Sequence, residues 1–227
     1  MPASGFGTRL GTADPKALVA LAGRPMVLRA VDGLLGSGVV DGVVVTAPPG
    51  RLAVLRGLLP PGGVVVVVDG GVDRVESVHA ALRHVDEASV ILVHDAARCL
   101  CPAAVVRAVV EKVRTGHDAV VPAIGVADTL KRVGPDGHVD ATVDRTGLAA
   151  VQTPQGFSPE VLRAAHARAV ADRLAGRGVP ATDDAGLVEA IGGAVVTVPG
   201  DPRAMKITTP LDLAMAEALV TAGPVPR

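Results

Sequence analysis

The chain has 227 residues, which is enough for one sizeable hydrophobic core, and we expect a single domain over residues 1–227. A formal net charge of −1 provides no broad positive surface, which argues against a nucleic-acid partner. Charges, glycine or proline interrupt every apolar run well before the roughly 18 residues that suggest a membrane span, and no cationic segment leads into an apolar one. We therefore expect no membrane partner and a cytoplasmic location.

In chain order, short β-branched runs alternate with segments of helical periodicity. This predicts an α/β fold, with a Rossmann-like, mostly parallel sheet and helices on both faces. The apolar runs are continuous, as in strands that are covered on both faces. The predicted strands cover 42–47, 64–68, 90–94, 118–123 and 194–199. The predicted helices cover 26–35, 75–85, 102–114, 159–175, 183–191 and 209–222.

One region departs from this alternation. Residues 127–146 alternate polar and apolar side chains around the turn sequence GPDG and contain no crossover helix, which predicts a protruding β-hairpin. We call this hairpin, at about 125–147, the β-arm. A lone hairpin has too little core to be stable by itself, so we expect the β-arm to pack against a second copy of the chain in a homodimer. The alternative is that it lies flat on its own domain.

Aromatic residues and cysteines are scarce. Phe6 and Phe157 are the only aromatic residues, so the core must be aliphatic, and backbone and small side chains would have to hold a bound nucleobase. Cys99 and Cys101 are separated by one residue, a spacing that does not suit an unstrained disulfide. We expect reduced thiols there, and the alternative is half of a metal site.

The first chemical motif is the glycine-rich stretch GFGTRLGTADPK, which begins at Gly5. Gly5 and Gly7 allow the main chain to approach a ligand closely, and successive peptide N–H groups in such a loop form a concave anion site. Arg9 and Lys16 add two positive charges. The pattern matches neither the P-loop nor the dinucleotide fingerprint. We interpret it as a polyphosphate site; the alternative is a turn that only closes a loop.

Further segments occur in a fixed order along nearly the whole chain. They are VDGGVDRVESV at 68–78, LVHDAAR at 92–98, DTLKR at 128–132, TVDRTGL at 142–148, QTPQGF at 152–157, TDDAGLVE at 182–189 and GDPRAMKITTPLDL at 200–213. In this order and spacing, the chain resembles the 2-C-methyl-D-erythritol 4-phosphate cytidylyltransferases of non-mevalonate isoprenoid synthesis. The resemblance implies transfer of a cytidylyl group from CTP to methylerythritol phosphate, giving 4-diphosphocytidyl-2-C-methyl-D-erythritol and pyrophosphate.

The resemblance implies roles for four cations. Arg9 and Lys16 would stabilise the transition state and the departing pyrophosphate, and Arg145 and Lys206 would hold the acceptor phosphate. From the sequence alone, Arg145 and Lys206 would be ordinary surface charges. Substrate contacts are also implied for Ala3, Ser4, Gly5, Gly7, Gly71, Ser77, Asp95, Thr129 and Thr153. Thr129 and Arg145 would face each other on opposite strands of the β-arm and reach the site of the neighbouring subunit. Ser77 could instead be only a residue of a helix N-terminus.

Asp95 follows the apolar run VILV and His94, at the end of a predicted strand, where open α/β sheets bind ligands. A carboxylate among cations is suited to hold Mg²⁺ or another divalent metal against a triphosphate. The alternative is that Asp95 caps the next helix. We expect His94 to be a structural hydrogen-bonding residue, and Arg98 could cap, pair with Asp95 or help to position phosphate.

Two other functions stay open from the sequence. One is a cytidylyltransferase for another polyol phosphate, such as ribitol 5-phosphate, and the other is a catalytically inactive nucleotide-binding paralogue. The family also carries an apolar strand before the glycine loop, whereas only Met1 and Pro2 precede the loop region here. We therefore expect the N-terminal first strand to be missing, a gap in the core, and a polypeptide that starts upstream.

Overall fold

The computed structural model describes residues 1–3, 10–11, 15–60, 63–178 and 182–223. The strands are β1 Ala20–Leu21, β2 Arg24–Pro25, β3 Val43–Ala47, β4 Val65–Asp69, β5 Ile91–Val93, β6 Ala119–Gly125, β7 Leu130–Val133, β8 Val139–Val143, β9 Ala149–Val151, β10 Gln155–Phe157 and β11 Val195–Pro199. The helices are α1 Met26–Leu35, α2 Leu52–Leu58, α3 Arg74–Leu82, α4 Ala103–Arg114, α5 Pro159–Leu174, α6 Asp184–Ala190 and α7 Pro210–Ala222. Every predicted strand and helix has a counterpart, and the α/β class is confirmed.

The sheet is mixed rather than mostly parallel. Parallel pairs join β3 to β4 and β6 to β11, whereas β10 lies antiparallel between β5 and β6, and β9 is antiparallel to β6. A parallel return requires a long crossover, usually a helix. After β6 the chain instead passes through the β-arm and returns to the sheet as short antiparallel strands.

An apolar slot of about 420 Å³ divides the sheet between β3 and β5. Met1–Ala3 run along β3 at this place. Thr46 N donates to Met1 O over 3.1 Å, and Ala3 N donates to Thr46 O over 3.2 Å, as in a parallel pair. Within the described residues no strand continues this pairing between β3 and β5.

Three helices that border the candidate site begin with side-chain caps. Asp73 accepts a hydrogen bond from Glu76 N over 2.9 Å at the start of α3, and Asp183 accepts one from Gly186 N over 2.9 Å at the start of α6. At the start of α7, Thr209 and Asp212 form a reciprocal capping box. Such caps satisfy peptide N–H groups that a helix start would leave unpaired, and so fix where these helices begin.

The core is aliphatic, as the composition predicts. Its largest fully buried side chains include Leu21, Met26, Leu55 and the single described aromatic residue Phe157. In the part of the chain that the structure describes, no helix is long and apolar enough to cross a bilayer.

The β-arm is a hairpin, as predicted, in which β7 and β8 pair antiparallel with Leu130 opposite Val143. Most of its residues are exposed, and Val133 and Val139 expose 54% and 58% of their surface. The β-arm therefore does not lie flat on its own protomer.

Candidate active site

A polar pocket of about 380 Å³ lies where the loops after β4 and β5 meet the N-terminal residues and the loop before α7. It is lined by Pro2, Ala3, Lys16, Ala17, Pro49, Gly71, Val72, Asp73, Arg74, Asp95, Ala96, Ala97 and Lys206. Of the residues with roles implied by sequence, Ala3, Lys16, Gly71, Asp95 and Lys206 thus line one cavity. Carboxyl ends of strands are the expected place for a ligand in an open α/β sheet.

Asp95 is the central anion of this pocket. Its N–H donates to Thr153 Oγ1 over 3.0 Å, which fixes its backbone. Its Oδ2 lies 2.7 Å from Lys206 Nζ, and its Oδ1 lies 3.5 Å from Arg74 Nε. Burial acts to raise the pKa of Asp95, but the charges of Arg74 and Lys206 outweigh it and lower the pKa to about 2. The side chain is therefore a carboxylate at neutral pH and accepts no helix-cap hydrogen bond in the structure.

Lys206 is carried on a short loop that is tied to the sheet. Ile207 N donates to Ala97 O over 2.9 Å, directly beside the lysine. Arg98 holds the same loop, because its Nη1 donates to Ala204 O over 2.8 Å. Arg98 is thus a tether for the loop that bears Lys206.

Lys16 reaches the same region from the other side of the pocket. Its Nζ donates to Thr208 Oγ1 over 3.4 Å, and Thr208 Oγ1 donates to the backbone oxygen of Lys206 over 3.0 Å. Two lysines that are 190 residues apart in the sequence are therefore joined through one threonine. Three cations, Lys16, Arg74 and Lys206, line the pocket with two carboxylates, Asp73 and Asp95, and this excess of positive charge suits anions.

The loop after β4 is shaped by its glycines and by Ser77. A side chain at Gly71 would overlap Glu76, and a Cβ at Gly70 would lie 2.8 Å from Ala47 O. Ser77 is fully buried; its hydroxyl accepts a hydrogen bond from Gly71 N over 3.1 Å and donates to Asp73 O over 2.7 Å. Ser77 thus supports the loop from behind, and Gly71 lines the pocket.

Thr153 and His94 also lie behind the pocket wall. Both are buried, and Thr153 Oγ1 lies 3.0 Å from His94 Nδ1 while it accepts the N–H of Asp95. Burial lowers the pKa of His94 to about 4, so the imidazole is neutral near pH 7. The hydrogen-bonding role expected for His94 agrees with this geometry, and Thr153 is placed to position Asp95.

Thr129 and Arg145 do not line this pocket in the protomer. Thr129 directly precedes β7 and Arg145 lies two residues after β8, so both lie at the base of the β-arm rather than within its paired strands. Both are exposed, and Arg145 Nη1 donates to the backbone oxygens of Val126 and Ala127. Ser4, Gly5, Gly7 and Arg9 lie outside the described residues.

The cysteines do not contribute to the pocket. Burial raises the pKa of Cys99 to about 11 and that of Cys101 to about 12, so both thiols stay protonated near pH 7. Among described residues, no group of three or more His, Cys, Asp or Glu side chains could form a protein-only metal cage. The prediction of free thiols agrees with the structure.

Arg74 was not predicted from the sequence. Its guanidinium lines the pocket and lies between Asp95 and the buried Asp184. A signal was present, because Arg74 stands in VDRVESV directly after the helix cap Asp73. The sequence indicated less about Asp184, because the two acidic residues of TDDAGLVE are typical of an ordinary helix start.

Comparison with known proteins decides the family. The profile of the family IspD, 2-C-methyl-D-erythritol 4-phosphate cytidylyltransferase, matches residues 1–222. The chain belongs to this family. The curated cytidylyltransferase of Nocardia farcinica is 53% identical over 220 residues, which cover 97% of this chain and 92% of that protein.

Solved structures of this cytidylyltransferase family share the fold. The crystal structure of the Thermus thermophilus cytidylyltransferase is 35% identical with a TM-score of 0.77, covering 97% of this chain and all of that one. The 4-diphosphocytidyl-2C-methyl-D-erythritol synthase of Anaerococcus prevotii has a TM-score of 0.82 at 24% identity, covering 97% of this chain and 95% of that one. The Rossmann-like arrangement predicted from the sequence is therefore confirmed.

Proposed function

We infer that this chain transfers the cytidylyl group of CTP to 2-C-methyl-D-erythritol 4-phosphate, in non-mevalonate isoprenoid precursor synthesis. The family membership supports the reaction. The observation that carries the assignment to this pocket is the convergence of Lys16, Lys206 and Asp95 on one cavity at the carboxyl ends of the strands.

The reaction is an in-line displacement at phosphorus. An oxygen of the acceptor phosphate forms a bond to the α-phosphorus of CTP, and the bond from that phosphorus to the bridging oxygen of the β-phosphate breaks. Pyrophosphate leaves with the electron pair. A phosphate monoester loses its second proton with a pKa near 6, so the attacking oxygen is already ionised near neutral pH. The site needs no general base, which agrees with a neutral, buried His94.

The main obstacle is the approach of two anions, and fixed cations reduce it. Lys16 lies where it can bind the triphosphate, and Arg9 belongs to the same glycine-rich segment. Lys206 faces the pocket with a half-exposed side chain and would hold the acceptor phosphate beside the α-phosphate. Because Lys206 is paired with Asp95 here, substrate binding must replace that pair.

A divalent metal ion fits the pocket with Asp95 as its one protein ligand. Mg²⁺ is usually held by one or two carboxylates together with substrate phosphates, and Asp95 provides one ionised carboxylate that faces the cavity. When bound, Mg²⁺ would neutralise charge on the triphosphate and help the pyrophosphate to leave. The role of the chain is to keep Asp95 ionised and in place through Thr153 and Arg74.

The cytosine and ribose would lie against peptide groups rather than aromatic rings. Ala3 and Gly71 line the cavity, and neither Gly70 nor Gly71 has room for a side chain. Gly70 N and Gly71 N donate within the protein, to Ala47 O over 3.0 Å and to Ser77 Oγ over 3.1 Å, so recognition would rest on carbonyl oxygens of this loop. Ser4, Gly5 and Gly7 are assigned to the same side by the family resemblance.

A homodimer would complete the acceptor site. Thr129 and Arg145 are exposed and lie away from the pocket of their own protomer, at the base of a projecting hairpin with exposed valines. These features support contact with methylerythritol phosphate in the site of a partner subunit. The dimer interface would also cover Val133 and Val139.

The test is pyrophosphate release with CTP, Mg²⁺ and either methylerythritol phosphate or ribitol 5-phosphate. We expect release with the first acceptor, and Arg145→Ala should raise the KM for the acceptor more than that for CTP. Faster release with ribitol 5-phosphate would assign a different acceptor. CTP binding without release for either acceptor would identify an inactive paralogue.

A further inference from the structure

Arg74 links the carboxylate in the pocket to a second carboxylate behind it. Its Nη2 lies 2.6 Å from Asp184 Oδ2, whereas its Nε lies 3.5 Å from Asp95 Oδ1. The guanidinium is therefore held more closely by Asp184 than by Asp95. An arginine beside a free carboxylate would prefer two short parallel hydrogen bonds.

Asp184 is fixed by contacts that do not involve the pocket. Its side chain is fully buried, and His166 Nε2 lies 2.9 Å from Asp184 Oδ1. Its N–H donates to Gln155 Oε1 over 3.2 Å. Burial acts to raise the pKa of Asp184, but the His166 hydrogen bond and the Arg74 charge outweigh it and lower the pKa. Asp184 is thus an immobile anion.

His166 supports Asp184 from the helix α5. An ionised carboxylate can only accept a hydrogen bond, so His166 Nε2 must carry the proton in this contact. Among described residues, His166 Nδ1 has no hydrogen-bond partner, so Nε2 is the ring nitrogen that holds Asp184. One carboxylate oxygen of Asp184 therefore accepts a hydrogen bond from His166, and the other forms the ion pair with Arg74.

The two carboxylate oxygens of Asp95 therefore have different partners. Oδ2 is paired with Lys206, which is about half exposed and can move to a substrate phosphate. Among the described residues, the ion pair of Oδ1 is the longer one to Arg74, whose guanidinium lies closer to Asp184. A guanidinium that turned fully toward Asp95 would occupy the carboxylate and repel a cation.

We propose that Asp184 is a positioning residue that restrains the guanidinium of Arg74. At this distance Arg74 neutralises part of the charge of Asp95, but one carboxylate oxygen of Asp95 stays available for a divalent cation. This inference rests on the proposed function of Asp95 as the metal ligand. Arg74 and Asp184 then act in opposite directions on metal affinity. Neither residue needs to touch substrate for this effect.

The experiment measures Mn²⁺ binding by electron paramagnetic resonance in the presence of a non-hydrolysable CTP analogue. Asp184→Asn should weaken Mn²⁺ binding about tenfold, since moving one charge by a few ångströms near a carboxylate changes the interaction by that order. Arg74→Gln should tighten binding several-fold. The double variant Arg74→Gln with Asp184→Asn should lose the defect of Asp184→Asn, because no guanidinium is left to occupy Asp95.

Asp183→Asn is the matched control. Asp183 caps α6, the helix that begins with Asp184, and accepts a hydrogen bond from Gln155 Nε2 over 2.7 Å. Among the described residues, no ion pair joins Asp183 to Arg74. Its Mn²⁺ affinity should equal that of the wild type. If Asp184→Asn fails to fold, an Arg74→Gln variant that binds Mn²⁺ no more tightly than the wild type would still overturn the proposal.

The outcomes separate this inference from the proposed function. Equal Mn²⁺ affinities in wild type and folded Asp184→Asn would overturn the inference, as would a defect that removal of Arg74 does not relieve. Failure of the wild type to bind Mn²⁺ with the analogue would overturn it as well. Mn²⁺ binding without pyrophosphate release would overturn the proposed function alone.

Discussion

Two cavities of nearly equal volume in this protein differ in the residues that line them. The slot between β3 and β5 has about 420 Å³ and is lined mainly by valine and other aliphatic side chains. The candidate active site has about 380 Å³ and brings together Lys16, Arg74, Asp95 and Lys206. Volume alone therefore does not identify a site. The candidate active site can discriminate among ligands because several charged groups converge on it, whereas the slot offers mainly aliphatic contact.

The two cavities also differ in how they influence ionisation. In the polar pocket, neighbouring cations lower the pKa of Asp95 to about 2 and keep it charged. Beside the slot, burial lowers the pKa of His94 to about 4 and keeps it neutral. His94 and Asp95 are adjacent in sequence, so one peptide bond separates an environment that favours charge from one that excludes it. Substitutions in each environment test this contrast.

The largest effect is expected from Lys16→Ala. Removal of this charge should lower kcat by about 10² to 10³-fold, as does loss of one fixed donor to a developing anion. The thermal unfolding midpoint should change little, because the lysine lines an open pocket. Steady-state pyrophosphate release measures the rate. Lys112→Ala on α4 is the control, and wild-type turnover by Lys16→Ala would refute the role of the pocket.

The next effect is the pH dependence of stability through His94. Its pKa falls from about 6.5 in the unfolded chain to about 4 in the fold, so the stabilisation is complete above pH 6.5 and is lost as the pH falls toward 4. The loss should be roughly 3 kcal/mol in the free energy of unfolding. Urea unfolding at several pH values measures it.

The variant His94→Gln provides the control for that prediction. It should reduce the slope of stability against pH between 6.5 and 4, since glutamine does not titrate; the buried Met1 amino group, whose pKa falls from 8.0 to about 5, accounts for part of the slope that remains. Asp95 contributes in a separate window, because its stabilisation is lost only as the pH falls from about 3.8 to 2. An unchanged slope in His94→Gln would show that burial beside the slot does not control this histidine.

The smallest effect is expected from filling the slot. Ala81 on α3 is buried and lines the slot, and Ala81→Leu adds apolar carbon where there is room. We expect the free energy of unfolding to rise by about 1 kcal/mol, with kcat unchanged. Chemical denaturation and the pyrophosphate assay measure the two quantities. Ala80 does not line the slot, so Ala80→Leu is the control and should not raise the free energy of unfolding. A lower free energy of unfolding in Ala81→Leu would mean that the slot cannot accept the larger side chain.

The periodicity of the sequence was sufficient to predict the longer elements. Continuous runs such as 42–47 and amphipathic segments such as 26–35 carry enough residues to reveal their period, and both formed as predicted. The short strands β9 and β10, the β1–β2 hairpin and helix α2 were not predicted. Their type depends on which neighbours they meet, and short segments carry too little pattern to show that. The antiparallel insertion of β10 into the sheet was therefore missed.

The candidate site was predicted in part. Lys16, Asp95 and Lys206 come from distinctive segments, and the structure places them around one cavity. Ser77 and Thr153 were expected as substrate contacts, but their side chains are buried and support the loops behind the pocket. The network of Arg74, Asp184 and His166 was invisible, because its members look like ordinary helix residues until α3, α5 and α6 are packed together.

By itself, the sequence determined the aliphatic α/β core and the β-arm. These follow from side-chain chemistry and short-range periodicity, which are local properties of the chain. Only the tertiary structure decided which oxygen of Asp95 is paired, where Arg74 is held, and that an apolar slot separates β3 from β5. Those features depend on distances between residues far apart in the sequence, and a charge acts on its neighbours in space rather than along the chain.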